Sequence, residues 1–226
     1  MENKKVVITG AGSGLGRSLA QQISSHGAKV YLLGRTKAKL DKVSKNLTNP
    51  SEVHTLDVRN SKQVNQVFSD IGPVDILINN AGVGIFGPAE ELSAPEVEKM
   101  IDTNLKGTIF CSQAVLPKMK EENKGLIINI ISTAGKTGKT TESVYCASKF
   151  GVRGFTESLA LELKGTPLRA VGVYMGGMST SFWEGIFGEE KMKKLMDPDD
   201  IAEIILTNIK ERPNINVEEI VIQNKK

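Results

Sequence analysis

Tyr145 and Lys149 stand four residues apart in a stretch of helical period covering roughly 142–164. Side chains at that spacing lie on one helix face, one above the other. A free phenol titrates near ~10 and is a weak base at neutral pH; a nearby ammonium stabilises the phenolate and lowers that value. Such a pair can give a proton to a carbonyl oxygen or take one from an alcohol. Ser132 precedes the tyrosine by thirteen residues at the end of an apolar run. Its hydroxyl is suited to hold the same oxygen and stabilise charge developing there.

A second set of residues has the character of a phosphate cradle. In ITGAGSGLG, residues 8–16, glycine recurs at every second position from Gly10 to Gly16. The spacing G-x-G-x-x-G fails, because Leu15 and Arg17 stand where it requires a third glycine; T-G-x-x-x-G-x-G fits, through Thr9, Gly10, Gly14 and Gly16. The run follows a strand-like Val6 to Thr9 and leads into a helix with Leu15, Leu19 and Ile23 on one face. Glycines there permit turn angles closed to other residues and bring backbone N–H groups at a helix start close to an anion. The plainer reading is a tight strand-to-helix turn with no ligand.

The elements that must position these groups alternate along the chain. Apolar β-branched runs KKVVIT, AKVYLL, EVHTL, VDILIN, GLIINII, LRAVGVY and VEEIVI are separated by helical stretches at about 14–26, 36–47, 60–70, 94–120, 142–164 and 198–211. That alternation predicts an α/β fold, a doubly wound parallel sheet of seven strands with helices on both faces. Ser93-Ala94-Pro95-Glu96 reads as a capping box, and Asp197-Pro198 as a helix start. Pro117 is expected to end or kink the long central helix. The stretch 175–197, rich in Gly, Met and aromatics, reads as an irregular loop at a strand's carboxyl end, where function usually lies.

Composition narrows the class. The 226 residues suit one domain, 1–226, and carry 24% charged residues, 39% hydrophobic residues and a formal charge of +3, with no long polybasic run. Nucleic acid is therefore not an expected partner. Cys111 and Cys146 form no metal or disulfide pattern, and no apolar run approaches the ~20 residues of a membrane span. A cytoplasmic protein with neither metal nor membrane partner is expected.

With Thr9, Gly10, Gly14 and Gly16 in place, the remaining signals follow in a fixed order: Asn79-Asn80-Ala81-Gly82, Asn104, Ser132, Tyr145 and Lys149. In that order and spacing the chain resembles the short-chain dehydrogenase/reductase family of classical type, from about residue 4 to about 222. The resemblance implies a Rossmann-like fold and hydride transfer between a nicotinamide cofactor and a small carbonyl or alcohol substrate. Tyr145 is then the general acid or base and Ser132 the group that orients the substrate oxygen. Lys149 also bonds the nicotinamide ribose, and Asn104 helps carry a water that links the lysine to solvent. It also places Gly10, Ser13, Gly14, Leu15, Gly16, Val58, Asn80, Ala81, Gly82 and Tyr145 beside the cofactor, with Asp57 at its adenine and Thr180 at its carboxamide. A homodimer or homotetramer built on the two long helices is implied as well.

Two features bear on cofactor and substrate. Gly34 stands where a carboxylate would bond the adenosine ribose hydroxyl, and Arg35 follows it, a guanidinium suited to a 2′-phosphate. NADP(H) is expected over NAD(H). After the sixth strand, Met175 replaces a proline common in the family. Phe182, Trp183, Ile186, Phe187, Met192 and Met196 follow, with Ile85 and Phe86 as a candidate second wall. They suggest a lid around 175–197 and a substrate with an apolar portion; packing as ordinary core is the other reading. A 3-oxoacyl thioester reductase of fatty-acid type and a non-catalytic NADP(H)-binding redox sensor are the alternatives; the sensor has no need of Ser132, Tyr145 and Lys149 together.

Overall fold

The computed structural model describes residues 1–225; Lys226, the last residue of the single domain expected from the sequence, lies outside them. Seven parallel strands form one sheet: β1 (Lys5–Thr9), β2 (Lys29–Gly34), β3 (Ser51–Thr55), β4 (Ile76–Asn79), β5 (Leu126–Ile130), β6 (Arg169–Met175) and β7 (Glu219–Ile222). Their order is β3-β2-β1-β4-β5-β6-β7. The chain leaves β1 toward β2 and β3, then returns to the other side of β1 for β4, so the crevice opens between β1 and β4. Ligands of doubly wound sheets bind at such a reversal, outside the carboxyl ends of the strands. Thr9, Gly34, Asn79, Ile130 and Met175 all end at that edge.

The strands are apolar on both faces because both faces are covered. Alternate residues split cleanly: Val6 and Ile8 of β1 pack with α1 (Gly14–Ser25), α2 (Lys37–Ser44) and α7 (Pro198–Ile209), through Leu19, Leu40 and Ile205. Val7 packs on the opposite side with α3 (Ser61–Ile71), α5 (Gly107–Glu121) and α6 (Ser143–Glu162), through Phe68, Val115 and Leu159. The expected helix starts are present. The Glu96 carboxylate accepts from the Ser93 N–H and hydroxyl at 2.9 and 2.7 Å, and Asp197 accepts from the Asp199 N–H at 2.8 Å.

Two expectations need correction. The helix anticipated at 94–120 is divided: α4 (Ala94–Met100) passes into a wide π turn at Ile101–Lys106 before α5 begins. Pro117 does not end α5, which runs on to Glu121. Pro117 and Gln113, whose carbonyl the missing N–H would have bonded, both face water, while Val115 and Met119 hold the other face in the core. With the proline on the exposed face, packing of the other face carries the helix past it.

Candidate active site

The glycine turn closes against the end of β4. Gly10 has φ +66°, and a Cβ there would stand 2.9 Å from Ala81 Cα; one on Gly16 would stand 2.5 Å from both Asn80 Nδ2 and Gly10 O. The Asn80 amide donates to the Thr9 and Gly10 carbonyls at 3.0 and 3.2 Å, and the Asn80 and Ala81 N–H groups both donate to the Thr9 hydroxyl at 3.0 Å. These glycines are thus required first by close protein packing, which in turn fixes the amides at the start of α1. A Cβ on Gly14 would meet Thr180 Cγ2 at 3.2 Å, so the turn also touches the segment after β6.

From this turn a cavity of about 510 Å³ runs along the sheet edge. Gly10, Ser13, Gly14 and Leu15 line one end with Arg35, Asp57 and Val58; Asn80, Ala81 and Gly82 line the middle, with Thr180 against Gly14; Ser132, Tyr145 and Lys149 line the other end. Gly16 packs beneath the turn. An elongated crevice with helix-start amides, an exposed guanidinium at one end and a phenol at the other fits a dinucleotide. Arg35 is exposed and makes no ion pair among the described residues. Asp57 is occupied: Arg59 Nε donates to both its oxygens at 3.0 Å and Nη2 to Oδ2 at 2.6 Å, which holds its carboxyl below the usual range.

At the far end, α6 presents Tyr145 and Lys149 on one face, both buried. Lys149 Nζ lies 5.8 Å from the Tyr145 ring centroid and donates to the Ile130 carbonyl at 3.0 Å. Ser132 adopts φ +147°, an unusual backbone for a residue with a side chain, and its hydroxyl accepts from the Ala134 N–H at 3.1 Å. In this arrangement burial outweighs the lowering expected from the ammonium. Burial pushes Tyr145 well above 10, against a smaller opposing effect of the Ser132 hydroxyl, and burial lowers Lys149 to about 8. The phenol therefore holds its proton at neutral pH, and the lysine keeps its charge there.

Behind this corner runs a buried polar chain that sequence reasoning largely missed. The Asn79 amide donates to Asn129 Oδ1 and Ser112 Oγ at 2.9 and 3.0 Å, joining β4, β5 and α5. The Asn129 amide donates to the Thr156 hydroxyl of α6 at 2.8 Å. Ser112 donates to the Thr108 carbonyl and Thr108 to the Asn104 carbonyl, both at 2.8 Å. Asn104, on the π turn, accepts from the Val83 N–H at 2.8 Å and donates to Val83 O and Ser148 Oγ at 2.9 Å. Its side chain thus ties the segment after β4 to α6; only the polar type of Asn79 and Asn129 in otherwise apolar strands could have announced the network.

The segment after β6 carries an aromatic cluster over the corner. Phe86 and Phe182 stand 5.5 and 6.0 Å from the Tyr145 ring; Phe86 and Phe187 stack on Trp183 at 5.3 and 4.4 Å. The cluster covers the active corner, and Ile85 packs beside it. Ile186, by contrast, is exposed. No metal-ligating cluster occurs among the described residues. Glu142, which lines the cavity one turn before Tyr145, is a site residue the sequence did not disclose.

Comparison with known proteins identifies the family. An uncharacterized oxidoreductase of Staphylococcus aureus strain N315 is 35% identical over 99% of this chain and 98% of its own length. A closed form of serine dehydrogenase complexed with NADP+ superposes with a TM-score of 0.90 at 32% identity, over 96% of this chain and 93% of that one. A variant of the actinorhodin polyketide ketoreductase with NADPH gives a TM-score of 0.90 at 28% identity, over 98% of this chain and 97% of that one. The family model described as short chain dehydrogenase matches residues 4–191, which include the glycine turn, Ser132, Tyr145 and Lys149. This chain belongs to the short-chain dehydrogenase family of oxidoreductases.

Proposed function

We propose that the protein is an NADP(H)-dependent carbonyl reductase or alcohol dehydrogenase in which Tyr145 is the general acid or base. One observation carries the reading: Ser132, Tyr145 and Lys149 meet at one end of a single crevice whose other end holds the glycine turn and Arg35. A bound reduced nicotinamide supplies the hydride to a carbonyl carbon. The Ser132 hydroxyl holds the carbonyl oxygen, and Tyr145 gives that oxygen its proton, so carbonyl, hydride and proton together become an alcohol. The Lys149 ammonium lies under the phenol and offsets the negative charge left on it. Asn104 is a positioning residue, fixing α6 against the segment that carries Gly82.

Arg35 supports a preference for NADP(H), since a guanidinium pairs with a 2′-phosphate and no carboxylate stands at Gly34 to bond a free ribose hydroxyl. The serine dehydrogenase and ketoreductase structures, with NADP+ and NADPH, are in keeping with that choice. The proposal includes a cytoplasmic setting, in keeping with two buried unpaired cysteines, and a homodimer or homotetramer formed through α5 and α6, where Phe150 and Leu161 are exposed.

The test is NADPH and NADH oxidation with a panel of aldehydes, ketones, quinones and 3-oxoacyl thioesters, run with the Ser132→Ala variant. Turnover that falls about a hundredfold in the variant, with dinucleotide affinity retained, is the expected result. Tight NADPH binding without turnover of any carbonyl would favour the sensor instead.

A further inference from the structure

We propose that Glu142 binds a protonated amine carried by the substrate, so that the substrates are amino ketones and the corresponding amino alcohols. The inference rests on the carbonyl reductase reading of the same site. Glu142 immediately precedes α6 and lines the cavity together with Ser132, Tyr145, Phe182 and Trp183. Its Oε2 is buried and has no hydrogen-bond partner. The ion pair it makes, with Lys139, stands at 4.0 Å, too long for a hydrogen bond. A buried acceptor without a donor is costly, and a donor arriving with the substrate removes that cost. Burial correspondingly pushes the carboxyl above its ordinary value, with Lys139 opposing.

The surroundings favour a cation over a neutral donor. Phe86, Phe182 and Trp183 present ring faces and edges in the same corner, and aromatic rings beside a carboxylate attract ammonium groups. Lys99 and Lys139 also line the cavity, but the Lys99 side chain is exposed and that of Lys139 is 38% exposed. Both can turn their charges into water, whereas the Glu142 side chain is only 17% exposed.

The experiment uses a matched pair of ketones, N-methyl-4-piperidone and 4-methylcyclohexanone, alike in shape and differing in charge at neutral pH. The wild type should favour the amine by about tenfold or more in kcat/KM, chiefly through KM, and Glu142→Gln should bring the ratio near one. Thermal melting of Glu142→Gln establishes that it is folded. Trp183, the single tryptophan, gives a readout without turnover: N-methylpiperidine added to the NADPH complex should change its fluorescence saturably in the wild type, with affinity weakened about tenfold in Glu142→Gln. A ratio near one in the wild type, a preference that survives Glu142→Gln, or no saturable response to the amine would overturn the inference. Turnover of neutral ketones with no amine preference leaves the reductase reading standing; Glu142-dependent amine binding with no reduction of any carbonyl overturns that reading instead.

Discussion

The corner that holds Tyr145 and the flap that covers it are built from different materials. Around Tyr145, β4, β5, the π turn, α5 and α6 are joined by a continuous set of buried hydrogen bonds through Asn79, Asn129, Ser112, Thr108, Asn104 and Ser148. Between Gly176 and Asp197 no residue is fully buried. That segment is held by mutual stacking of Phe182, Trp183 and Phe187, by the partly buried Met178 and Met196 against the core, and by backbone contacts such as the Ser179 N–H to the Met196 carbonyl at 2.8 Å. The catalytic corner we propose is thus tied together by buried hydrogen bonds, and the segment over it is loosely packed; we propose that this segment opens to admit substrate.

The sharpest way to break this contrast is at Lys149. Lys149→Met should lower carbonyl reduction by about a hundredfold or more, a direct loss of charge beneath the phenol. The same variant should be more stable than the wild type at pH 7. Lys149 titrates at about 8 in the folded protein and at 10.5 when free, so both folded and unfolded chains hold the proton well below 8, where the buried cation costs stability. Between about 8 and 10.5 the unfolded chain binds more proton, and wild-type stability contributed by this group rises with pH. Thermal melts of the two proteins from pH 7 to 10 should therefore show the advantage of the variant shrinking; an advantage that grows would contradict the buried-cation account.

Next in size is cofactor discrimination. Arg35→Asp should weaken NADPH about ten- to a hundredfold while changing NADH little, measured as dissociation constants by titration. Equal losses for both nucleotides would remove the 2′-phosphate role of Arg35.

The smallest effects compare the two regions directly. Asn129→Ala should destabilise by about 1–3 kcal/mol, because it leaves Asn79 and Thr156 short of buried partners. Trp183→Ala should stay within about 1 kcal/mol in stability and act on substrate KM instead. Denaturant unfolding and steady-state kinetics on both variants sharpen the contrast; a flap substitution as destabilising as Asn129→Ala would erase it.

The sequence made the sheet legible because each strand is a short β-branched run and each crossover has helical period. The order of the glycine turn, Ser132, Tyr145 and Lys149 made the crevice legible for the same reason, since parallel strands bring all their carboxyl ends to one edge. What stayed hidden depends on tertiary contact. The π turn at Ile101–Lys106 places Asn104 against Val83 and Ser148, contacts no periodicity announces. Pro117 is tolerated because it stands on the exposed face of α5, a fact of burial. Glu142 looked like one more carboxylate before a helix until the fold set the residue on the cavity wall with one buried oxygen unpartnered. The phenol, too, follows burial more than the neighbouring charge.

The central claim is that Tyr145 transfers the proton while the rest of the crevice holds NADP(H). It is tested most directly by measuring NADPH binding and NADPH oxidation in the same preparations of wild type and Tyr145→Phe, with a carbonyl substrate taken from the panel. The account predicts equal binding and oxidation lowered about a thousandfold or more in the variant. Oxidation that survives within a few-fold would contradict it, because the proton would then come from another group.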